Sequence, residues 1–152
     1  MNIQPNALYD QDFYAWSLDM AAKIRNKNFD SIDIENVAEE IESLARSDYR
    51  KLISRLEVLI AHLLKWMLQP DKRSSGWRGT IVEQRRKINK LLSESPSLKY
   101  KLTEETNLNE VYEDAKNIFY KDTGLDITKL MANNPCPFVI TQILNNDFYP
   151  DE

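Results

Sequence analysis

Apolar residues recur at helical spacing through most of this chain, and the longest such run covers positions 33–69 with no Pro or Gly inside it. Turned at about 100° per residue, Ile34, Val37, Ile41, Leu44, Ala45, Leu52, Leu56, Leu59, Leu63 and Trp66 fall in one sector. From Leu52 onward, Ile53, Ile60, Leu64 and Met67 widen that sector to roughly 160°, beyond the stripe of an ordinary surface helix. The pattern predicts an all-α, mainly antiparallel helical bundle around one long central helix. Asp33 is placed to cap it, and Glu35, Glu39 and Glu40 suit its positive end. Asp48 interrupts the apolar sector, so a kink over 46–49 is the alternative to a continuous helix. With neither Pro nor Gly there to enforce it, continuity is the preferred expectation.

The remaining elements follow from the same spacing. A first helix is expected from about Asp10 to 26–28, with Tyr9 and Tyr14 as a staple and Phe13, Trp16, Met20 and Ile24 as its core stripe. Phe29 and Ile32 then plug the turn. After Gln69, the loop PDKRSSG stops the long helix, and Ser74 or Ser75 caps the next. That third helix carries Trp77, Ile81, Ile88, Leu91 and Leu92 on one face, with Gln84 in the middle of the face and Arg85 at its edge. Ser95 followed by Pro96 predicts a helix start. A phase shift in the apolar pattern then predicts a short helix and a longer one over 96–122, closed by Gly124. A short element at 127–131, a break at NNPCP and a last helix at 138–145 complete the chain, which is expected to be a single domain over 1–152.

Composition narrows the class. Three Gly residues argue against an all-β fold. The single cysteine, Cys136, and an opening MNIQPNALYD without a basic start or apolar run point to a cytoplasmic protein, and no run is long enough for a membrane span. Net charge is −4, but residues 1–45 carry 3 basic and 9 acidic side chains, 46–90 carry 12 and 4, and 91–152 carry 5 and 11. Acidic flanks neutralising a basic centre are the ordinary explanation; a basic surface for an anionic partner is the alternative.

Candidate chemistry is sparse. Gly-rich phosphate loops, nucleophile elbows and paired-cysteine zinc spacings are absent, and one histidine excludes triads and multi-histidine metal sites. No cofactor or metal is expected. Glu39 and Glu42 share a helix flank with Arg46, either as an ion pair or as a carboxylate pair for a metal or for acid–base work. Arg55, His62 and Gln69, spaced by sevens, form a stripe that Gln84 and Arg85 of the next helix can meet. Such a polar seam is a satisfied structural network or a small-ligand pocket. Arg73, Arg78, Arg86 and Lys90, with Lys72 and Lys87, are the candidate anion-binding set.

The strings LYDQDFYAW, AEEIESLARSDYRKLISRLEVLIAHLLKW and QPDKRSSGWRGTIVEQR resemble the family called domain of unknown function twenty-nine, abundant in cyanobacteria, over essentially the whole chain. The resemblance implies a small all-helical bundle with no established activity and no catalytic residues to carry over. Relatives with Gly in ESLGR contrast with Ala45 here, which favours an unbroken helix. The leading functional expectation is a non-enzymatic binding or protein-interaction module, with a second copy of the chain as a candidate partner. Nucleic-acid binding through 72–90 is the first alternative. A small-ligand or metal-dependent enzyme at the polar seam is the second.

Overall fold

The computed structural model of the protein describes residues 5–131 and 135–151, with side chains from Leu8 onward. Among them every regular element is helical. The chain divides into two compact units, Met1–Ser47 and Asp48–Glu152, and one helix belongs to both.

In the first unit, α1 (Pro5–Gln11) leads directly into α2 (Phe13–Arg25). This corrects the expected single start at Asp10. The break falls at Asp12, whose carboxylate accepts the Ala15 N–H at 3.0 Å, while its own N–H still donates to Leu8 at 2.8 Å. The expected Tyr9–Tyr14 staple does not form, because Tyr9 lies inside α1 and Tyr14 is exposed. Tyr9 instead meets Trp16 edge-on at 4.7 Å. Its hydroxyl donates to Glu40, which pushes the phenol pKa up to about 12. Trp16 and Met20 are buried, whereas Phe13 and Ile24 stay exposed at the edges of the stripe. Helix α2 ends with Lys27 in the left-handed region (φ 57°) and the Asn28 N–H reaching back to Lys23 at 2.9 Å, a hydrogen-bonded stop that satisfies its last carbonyls.

Helix α3 (Ile34–Leu68, 35 residues) is continuous through 46–49. Asp33 begins it by accepting the Asn36 N–H at 3.4 Å and the Asn36 side-chain amide at 2.7 Å.

In the second unit the C-terminal half of α3 is the core. Leu52, Leu56, Leu59 and Leu63 are fully buried, and from Leu59 to Trp66 burial extends round nearly the whole helix, with His62 the half-buried exception. Ser74 caps α4 (Ser75–Glu94), accepting the Trp77 N–H at 3.1 Å. Lys65 lies over the Trp77 ring while Arg55 meets Gln84, so α4 runs antiparallel to α3. The Ser95–Pro96 start takes a different form from the expected cap: Ser95 closes α4, and α5 (Ser97–Tyr100) begins without a side-chain cap. A π-turn over Lys101–Glu105 follows, then α6 (Leu108–Thr123). Tyr49 pairs with Thr106 and Lys65 with Asp122, so α6 is parallel to α3. Gly124 at φ 72° ends α6 and donates to Tyr120. Helices α7 (Ile127–Leu130) and α8 (Ile140–Leu144) cover the core with Ile127 and Ile143. The break expected at 133–137 lies partly outside the described residues.

Candidate functional site

The five residues expected to form one polar seam separate into different environments. Arg55 donates to Gln84 at 3.5 Å, the one hydrogen bond between seam members among the described residues. His62 turns back on its own helix, its Nδ1–H donating to the Val58 carbonyl at 2.9 Å in the neutral form. Burial, the larger effect, lowers its pKa from 6.5 and favours that neutral form. Gln69 ends α3 and leads into the 3₁₀ turn Pro70–Lys72.

Arg85 is a correction to the expected edge position, because it is only 1% exposed. Its Nε donates to Ile143 O and its Nη2 to Phe148 O, both at 2.8 Å, with Gln142 O at 3.5 Å. Ile143 lies in the last turn of α8, where carbonyls lack helical partners; the Gln142 carbonyl also accepts the Asn145 N–H at 3.2 Å. Nη1 has no partner among the described residues, and burial lowers the pKa of the group.

Two members of the anion-binding set also turn inward. Arg73 donates to Trp66 O at 2.8 Å and to Pro150 O at 3.4 Å. The Arg78 guanidinium lies 4.3 Å over Tyr149 and 4.9 Å from the Trp66 ring. These rings meet at a tilt of 53° with centroids 5.0 Å apart, and their π faces hold both cations against the chain's C-terminal segment. Arg86 and Lys90 remain outside. With Lys51, Arg55, Lys87, Leu91 and Glu94 they line a groove of about 300 Å³ between α3 and α4. Glu83 chelates Arg86 at 2.8 and 3.0 Å and lies 3.5 Å from Lys87. The bond to Arg86 is the main reason its pKa falls to about 2. Lys90 pairs loosely with Glu94 at 3.9 Å and Lys51 with Asp48 at 3.8 Å. Five cations thus face three carboxylates.

Glu39 and Glu42 form the ion-pair arrangement. Arg46 lies 2.5 Å from Glu39 and 3.7 Å from Glu42, all three in solvent. No group of three or more side chains suited to a metal ion occurs among the described residues. A second groove, about 400 Å³, was not foreseen; it lies where Tyr49, Ile53, Glu105, Thr106, Asn107, Glu110, Val111 and Asp114 meet beside the π-turn. Thr106 donates to Lys101 O at 2.9 Å, which leaves the Tyr49 hydroxyl to donate to Thr106 at 2.8 Å. The phase shift after Leu102 was its single visible sign.

The sequence model of the family described as Domain of unknown function DUF29 matches residues 8–149, nearly the whole chain. The chain belongs to the DUF29 family. No curated protein and no solved structure matches it.

One exposed feature of this DUF29 chain, on the N-terminal half of α3, is apolar. The sector of α3 that is fully buried from Leu52 onward continues backwards as Ala45, Ile41 and Ile34, with Leu44 at its margin. There most of it is uncovered: Ile34 is 64%, Ile41 63% and Leu44 70% exposed, while Val37 of the same sector is half-buried. The opposite, more polar side, with Asn36, Glu40, Ser43 and Ser47, is the half-buried one. No described helix of this DUF29 chain is long and apolar enough to cross a membrane.

Proposed function

We propose that this DUF29 chain is a non-enzymatic protein-interaction module and that its partner is a second copy of itself. The uncovered stripe Ile34, Ile41, Leu44 and Ala45 carries this reading. An apolar face that continues the register of a core yet stays in water marks a contact surface, because each Å² left exposed forgoes about 25 cal/mol of burial. A second copy fits better than a small ligand, since the stripe runs along an open helix face and Arg55, His62, Gln69, Gln84 and Arg85 do not gather in one pocket. Size-exclusion chromatography with light scattering tests it. Wild-type protein elutes with the mass of a dimer, and Ile41→Glu elutes as a monomer with an unchanged circular dichroism spectrum. A wild type that stays monomeric at high concentration contradicts the reading.

A further inference from the structure

We propose that the surface receiving this stripe on the second copy is the basic groove between α3 and α4, an inference that rests on the self-association proposed above. The stripe has an acidic border: Glu35 and Glu42 each follow an apolar stripe residue, Ile34 and Ile41, one position on, and Glu39 lies beside them. Arg46 neutralises part of that border and leaves it acidic. The groove has the opposite character. Lys51, Arg55, Arg86, Lys87 and Lys90 line it with Leu91 and Glu94, and Val82, one turn before Arg86 on α4, is 54% exposed. The side chains of Lys51, Arg86 and Lys90 are 60%, 62% and 66% exposed, so their heads are available to a partner.

Residues 34–45 of α3 span about 17 Å at the helical rise of 1.5 Å per residue; the groove's lining on α4, residues 86–94, spans about 12 Å, and Val82 extends that surface by one further turn. A helix laid along this surface sets its acidic border against the cations, with Leu91 and the exposed Val82 as the apolar contacts. Each copy carries both surfaces, so in a two-fold dimer the same contact is made by either copy. Nucleic acid fits the groove less well: its lining has no aromatic ring to stack a base, and Glu83 and Glu94 stand among its cations.

Charge-swap variants of the full chain, followed by sedimentation equilibrium with circular dichroism as a fold control, test the pairing. Arg86→Glu/Lys90→Glu weakens the dimer about tenfold or more, as does Glu35→Lys/Glu42→Lys, and the four changes combined in one chain restore it. Added salt weakens the wild-type dimer and much less an apolar contact. A dimer unaffected by the groove reversal overturns this inference and leaves self-association standing, whereas a monomeric wild type removes both. Failure of the combined variant to recover overturns the charge pairing. So does a dimer weakened by Glu110→Lys/Asp114→Lys instead of by changes at the stripe. Loss of oligonucleotide binding on groove reversal with the dimer intact assigns the groove to nucleic acid and overturns it as well.

Discussion

At the scale of single residues, Arg85 is the side chain whose role depends most on the fold. Its neighbours on α4 show a cation at the edge of an apolar face. Its partners, Gln142, Ile143 and Phe148, lie about sixty positions on and follow no periodicity shared with it. Arg85→Met keeps much of the volume but leaves buried carbonyls without donors, and an unfolding titration in urea should show a loss of about 3 kcal/mol. Arg85→Lys does not rescue it, because an ammonium lacks the fork that reaches carbonyls on two sides. His62 gives a pH-dependent counterpart. Its folded-state pKa lies below the ordinary 6.5, chiefly through burial, so below that pH the unfolded chain takes up the proton first. Stability present above pH 6.5 is therefore lost as pH falls toward the folded-state pKa. Urea midpoints at neutral and mildly acidic pH should show this fall, and His62→Gln should flatten it. Glu57 has the opposite sign. Burial and then Asp114 raise its pKa above 4.5, so its carboxylate opposes folding at neutral pH. Glu57→Gln should raise the melting temperature at pH 7, and the gain should shrink as pH falls through the raised pKa.

At the scale of elements, most helices can be read from apolar spacing and from their end signals. Ser74, Asp33 and Gly124 act where their chemistry places them, because caps and left-handed turns depend on a few neighbouring atoms. The misread starts, Asp10 and Ser95, share a cause: each lies beside a second plausible boundary, and packing decides between them. Tyr9 on Trp16 and Glu40 draws Asp10 into α1, and Ser95 is taken by the end of α4. Continuity of α3 through Ala45 follows from propensity, since nothing there breaks a helix. Ala45→Gly, at an exposed position, should cost about 1 kcal/mol in thermal or urea unfolding. Measured in the Ile41→Glu background, where the proposed contact between copies is absent, a loss several times larger would mean that Ala45 packs against another part of its own chain.

At the scale of the molecule, the all-helical architecture and family membership are legible in the sequence, and the distribution of cations is only half so. The basic centre of the chain serves two purposes that share one composition. Arg73, Arg78 and Arg85 hold the C-terminal segment, and Arg86, Lys87 and Lys90 line an open groove. Charge counted along the chain does not separate them, because the rings and carbonyls that draw three of them inward come from Trp66, Tyr149 and α8. The apolar arc of α3 likewise looks uniform in sequence, yet Leu52 is fully buried and Ile41 is 63% exposed. That difference is the basis for self-association. Sedimentation velocity of the wild-type protein across a concentration series tests it most directly. A sedimentation coefficient rising with concentration to that of a dimer, and held at the monomer value by Ile41→Glu, is the predicted result; a monomer at every concentration would contradict the account.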